Sequence, residues 1–120
     1  MNTEYYITSI SDKVSYSNNN DCFYYVYLSC NTNPKARLEL KIEGIKFKKE
    51  VEKIVSEFNN PLRMSNTYDC SDIEFIEDSK LFYAIVKRYS FVIRVSCLDK
   101  EMLSNFLTFI NTPPEVDVET

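Results

Sequence analysis

The chain has 120 residues, 44% of them hydrophobic and 27% charged, with a formal net charge of −4, no His, no Trp and a single Gly. A domain of this size buries roughly 65% of the surface its unfolded chain exposes, enough for one core, and no apolar run approaches the ~18 residues of a membrane span. The absent imidazole removes the commonest general base and metal ligand, and one Gly, where average usage of about 7% would give about eight, excludes a phosphate-cradling loop.

The start, Met1-Asn2-Thr3-Glu4-Tyr5-Tyr6, has neither a basic n-region nor an apolar h-region, so the cytoplasm is the expected compartment. Tyr5 to Tyr16 alternate loosely and suit a strand or hairpin arm, and Ser17-Asn18-Asn19-Asn20-Asp21 is the clearest turn. Cys22 to Cys30 is the strongest strand: Cys22, Tyr24, Val26, Leu28 and Cys30 share one face, and Phe23, Tyr25 and Tyr27 the other. After the Asn31-Thr32-Asn33-Pro34 turn, Arg37 to Ile42 alternates cleanly, with Leu38, Leu40 and Ile42 inward. Gly44 marks a position of positive φ. Phe47, Val51, Ile54, Val55 and Phe58 then fall on one helix face, with Lys46/Glu50 and Lys48/Glu52 pairs outside.

The stretch from Pro61 to Tyr68 reads as a loop. Asp72 to Glu77, Lys80 to Lys87 and Ser90 to Ser96 read as three further strands. A second helix runs from Leu98 to Ile110 on a wider apolar stripe, with Asp99 and Glu101 in a first turn that favours acids. Both helices stop at Asn-x-Pro, at Asn59-Asn60-Pro61 and at Asn111-Thr112-Pro113. The sum is an α+β domain over residues 1–114: a mostly antiparallel sheet of about six strands in βββαβββα order, with two helices on one face. Residues 115–120 are an acidic tail expected to be disordered. Aligning the Asn-x-Pro ends superposes Val51, Ile54 and Val55 on Leu103, Phe106 and Leu107, yet no run of identities favours duplication over convergence.

No catalytic set emerges. Cys22, Cys30, Cys70 and Cys97 lack C-x-x-C spacing and read as reduced thiols packed as small hydrophobes, with no metal, no cofactor and no enzymatic activity expected. Lys46, Lys48, Lys49 and Lys53 suggest a nucleic-acid surface, but acids interleave at helix-pairing distance and the chain is acidic, so nucleic acid is disfavoured. The acidic run carries Asp69, Asp72, Glu74, Glu77 and Asp78, of which Asp72, Glu74 and Asp78 share a face if the strand is unbroken. Such a patch docks and steers a basic partner, and Tyr25 and Tyr27 are suited to an interface.

Residues with GC-rich codons are scarce, pointing to an AT-rich gene. Small size, acidity and the missing catalytic inventory together suggest a protein-binding inhibitor, in the manner of an antitoxin, an immunity protein or a phage anti-defence protein. It would occlude a basic active site on another protein. The alternative is an adaptor that self-associates, as a homodimer, through a sheet edge or the Phe23, Tyr25 and Tyr27 face.

Overall fold

The computed structural model describes residues 3–15, 21–60 and 68–112. Residues 17–20 of the turn read at 17–21, residues 61–67 of the loop read at 61–68, and the tail at 115–120 lie outside them. Strict alternation makes the central strands. In β3 (Cys22–Cys30) and β4 (Asn33–Glu43), Val26, Leu28, Leu38, Leu40 and Ile42 are fully buried, while Tyr25, Tyr27, Glu39 and Lys41 point to the other face. In β7 (Leu81–Arg88) and β8 (Phe91–Cys97), Ala84, Val86, Ile93 and Val95 do the same. The helices α1 (Lys48–Glu57) and α2 (Lys100–Asn111) lay Val51, Val55, Met102, Leu103 and Phe106 into that one cluster.

Among the described residues the sheet has eight strands in place of about six. Its outer strands are broken: β1 (Tyr5–Ile10) and β2 (Val14–Ser15) both pair with β3, and β5 (Asp69–Cys70) and β6 (Glu74–Ile76) both pair with β7. A Ser-Asp dipeptide makes each break. The Tyr25 N–H donates to Ser11 Oγ at 2.9 Å and the Ile85 N–H to Ser71 Oγ at 2.8 Å, so a hydroxyl stands where a strand carbonyl would. Each Ser N–H completes the pair by donating to the carbonyl of the same residue, Tyr25 or Ile85, at 2.9 Å.

The order is therefore ββββα twice, and the sheet runs β1-β3-β4-β8-β7-β5 with every pairing antiparallel. Tyr24 faces Ile42 in the first half and Ala84 faces Val95 in the second, which makes Ile42 and Val95 equivalent and, one residue earlier, Lys41 and Arg94. Lys41 and Arg94 face each other across β4 and β8. A pseudo-twofold axis consequently passes between them, relating the central strands of the two halves.

The repeated Asn closes each copy. Asn59 Oδ1 accepts the Tyr5 N–H at 3.0 Å and its amide donates to the Tyr5 carbonyl. Asn111 Oδ1 accepts the Tyr68 N–H at 2.8 Å, and its Nδ2 donates to the Tyr68 carbonyl at 3.2 Å. Each helix end is thus bonded like a strand to the residue that opens its own half. The rings then cross over: Tyr5 packs edge-on to Phe106 at 5.1 Å, Phe106 to Phe58 at 5.7 Å, and Phe58 to Tyr68 at 6.2 Å. That series ties the outermost strands together through both helices.

The helix starts differ from the sequence reading. Phe47 is extended, offers no capping oxygen and is 65% exposed, so the buried stripe of α1 begins at Val51. Leu98 is 71% exposed because Asp99 ends the strand-to-helix connection as N-cap, accepting the Met102 N–H at 3.2 Å. Lys48 reaches Asp12 at 3.8 Å instead of Glu52. Gly44 has φ +99°, and a Cβ there would stand 2.6 Å from the Ser90 carbonyl oxygen, so the β7–β8 turn packs against bare backbone.

Candidate functional site

The acidic run does not form one strand face. Asp69 pairs opposite Lys87, Asp72 lies in the break after Ser71, and Glu74 pairs opposite Tyr83. Glu77 and Asp78 occupy the four-residue turn into β7, closed by the Lys80 N–H donating to the Glu77 carbonyl at 3.3 Å. The Ser71 detour destroys the parity that would have aligned Asp72 with Glu74. Instead the five carboxylates fan out along one exposed sheet edge, and among the described residues no ion pair holds any of them. Between them Phe75 is 55% and Ile76 40% exposed, with Phe75 leaning on Phe82 at a ring distance of 5.0 Å.

Tyr25 and Tyr27 are half-buried on the sheet face opposite the helices, with β4, β8 and β7 between them and β6. Their strip is covered from within the chain. The Arg37 guanidinium sits 4.6 Å above the Tyr27 ring, Lys41 Nζ is 4.3 Å from the Phe23 ring centre, and Phe23 meets Tyr25 edge-on at 5.2 Å. At the pseudo-twofold, Glu43 takes Lys41 at 3.6 Å and Arg94 Nε at 3.3 Å, and Arg94 Nη1 donates to Tyr83 Oη at 2.7 Å. Sequence reading missed this network because its members come from three strands, and only the β4–β8 and β7–β8 registers join them.

One depression of about 750 Å³ crosses the open face from Thr8 and Tyr27 to Ser79 and Leu81, over Arg37, Glu39 and Ser96. Of the expected interface residues only Tyr27 lines it, and Glu77 and Asp78 lie outside its lining, their turn contributing Ser79 alone. Tyr25, Asp69, Asp72 and Glu74 lie outside its lining. A second groove, of about 520 Å³, follows α2 from Asp99 to Thr112, with Thr3, Tyr5, Cys30 and Asn33 as its other wall.

None of the four cysteines joins a disulfide, and Cys22, Cys30 and Cys97 are buried. Burial raises the Cys97 thiol above its ordinary range against a hydrogen bond from the Asp99 N–H, and raises Cys70 against one from Asn111. Neither is primed as a nucleophile at neutral pH. Among the described residues no three His, Cys, Asp or Glu side chains gather as metal ligands. Of the lysines weighed for nucleic acid, Lys48, Lys49 and Lys53 are on α1, across the sheet from Arg37 and Lys41 on the open face, so the basic side chains between 37 and 53 are divided between two surfaces. No described helix is long and apolar enough to cross a membrane. No protein-family model matches the chain and no curated protein matches it, so the chemistry of these surfaces carries the functional reading.

Proposed function

We propose that this chain is a cytoplasmic protein-binding inhibitor that covers a basic active site on another protein, as an antitoxin, an immunity protein or a phage anti-defence protein does. The observation that supports it is the β6 edge, where exposed Phe75 and Ile76 stand among Glu74, Glu77 and Asp78, none held by an ion pair among the described residues. Apolar anchors within a charged rim make a protein interface, and rim charges raise the association rate with an oppositely charged partner. A second copy of the chain is a poor occupant of this edge, since it brings the same carboxylates against themselves.

The test uses the protein and its D72S/E74S/E77S/D78S variant as baits in extract of the source cell. The expected result is one stoichiometric protein held by the native chain and released by salt, with association to the variant slowed about tenfold or more. Equal capture by both baits, or no stoichiometric protein on either, rejects the reading.

A further inference from the structure

Apart from tyrosines and cysteines, Ser29 is the only polar residue buried among those described, at 8% exposure. Its neighbours Leu28 and Cys30 face the core, so its hydroxyl is on the open side of the sheet, where it lines the depression of about 750 Å³. A strand irregularity sets it apart from its row. Leu28 pairs with Leu38 and Cys30 with Asn33, so the four residues Pro34 to Arg37 bulge opposite Ser29 alone. The hydroxyl has no partner among the described residues, and a buried donor is costly to leave unmet.

Two side chains of opposite charge line the depression next to Ser29, and neither is in an ion pair among the described residues. Arg37, at the end of the bulge, holds its guanidinium 4.6 Å from the Tyr27 ring centre, a contact that leaves its N–H donors unused. Glu39 is half-buried and stands between Tyr27 and Ser96 in the cross-strand register. The two are two residues apart on one strand face, about 7 Å, so a single small molecule can touch both. Of the other charged lining residues, Asp99 is engaged as the N-cap of α2 and Lys35 is exposed at the rim. Beyond Ser96 the wall turns apolar. Phe82 pairs with Cys97, which sets Leu81 against Leu98 on the open face, and Leu98 is 71% exposed.

We infer that the depression binds a free α-amino acid with an aliphatic side chain: its carboxylate at the Arg37 guanidinium and the Ser29 hydroxyl, its ammonium at Glu39, its side chain on Leu81 and Leu98. A simple anion is opposed by Glu39, and a simple amine leaves Arg37 and Ser29 unmet, whereas a zwitterion answers all three. The site is separate from the β6 edge, since Glu74, Phe75 and Ile76 are outside its lining.

The experiment is a titration with L-leucine followed by amide chemical shifts, with 4-methylpentanoate as the analogue lacking the ammonium and 3-methylbutylamine as the one lacking the carboxylate. Leucine is expected to move Ser29, Arg37, Ser96 and Leu98, and each analogue to bind about tenfold more weakly. Arg37→Gln and Ser29→Ala each lower leucine affinity about tenfold, and Glu39→Gln about fivefold, the upper end of what one exposed ion pair supplies. Without leucine, Ser29→Ala keeps the urea midpoint at or above that of the native chain, because it removes a hydroxyl with no partner. A midpoint well below it assigns that hydroxyl a structural bond and overturns the inference. Leucine bound no more tightly than either analogue, affinity unchanged by Arg37→Gln and by Ser29→Ala, or no shifts in the depression at millimolar leucine overturns it as well.

Discussion

Asn59 and Asn111 each answer for the whole backbone pairing of a tyrosine, one amide satisfying both an N–H and a carbonyl. Truncation strands two peptide groups at a buried position, at a cost of about 1–3 kcal/mol. Asn59→Ala and Asn111→Ala are each expected to lower the urea midpoint by that much, with hydrogen exchange speeding first at Tyr5 or at Tyr68 respectively. Equal loss of protection at both tyrosines in either variant would contradict the bracket. Tyr5 also sets an alkaline limit. Burial, then the neighbouring Cys30 and Cys97, raise its phenol well above the ordinary value, so it stays protonated in the folded chain after the unfolded chain has released the proton. The folded state then binds more protons, and stability is complete below about pH 10 and falls above it. Tyr5→Phe should flatten that fall while leaving the neutral-pH rings packed; an unchanged slope assigns the effect to another group.

The β7–β8 turn shows an element in which sequence and backbone disagree. Tyr89 holds φ +40° and is 96% exposed, in a two-residue hairpin where Gly or Asn is favoured. A bulky residue there is strained, and Tyr89→Gly is expected to raise stability by up to about 1 kcal/mol, read as a higher urea midpoint with an unchanged slope. Other elements followed their residues closely. The alternation of Leu38, Leu40 and Ile42 named the buried face of β4, Gly44 its positive φ, and Asn-x-Pro both helix ends. Periodicity misassigned the helix starts, since Phe47 and Leu98 continue the apolar spacing but precede the first helical residue. It also began the strand of the acidic run at Asp72 where the structure begins it at Glu74, because a side chain taking over a strand hydrogen bond at Ser71 leaves no mark in hydrophobic pattern. The exposed Phe75 and Ile76 were hidden for the same reason, reading as ordinary strand residues. The groove along α2 was out of reach, as its walls, Tyr5, Cys30 and Asn33 on one side and α2 on the other, meet only in the folded chain.

At the scale of the molecule, the pseudo-twofold raises the question whether the halves are separate folding units. Three features join them: five residue pairs between β4 and β8, the ring series from Tyr5 to Tyr68, and a core cluster that draws on both helices. Each half's opening tyrosine places its ring against the other half's helix, Tyr5 on Phe106 and Tyr68 on Phe58, so neither half completes its core alone. A single cooperative transition follows, as is usual for one domain of this size. Leu40 and Ile93 are buried equivalents on either side of the axis. Leu40→Ala and Ile93→Ala should each cost about 2–5 kcal/mol, and each should shift the far-ultraviolet and tyrosine signals together. A melt that splits in two, with one phase unmoved by Leu40→Ala and the other unmoved by Ile93→Ala, would instead identify two modules that fold independently and merely dock.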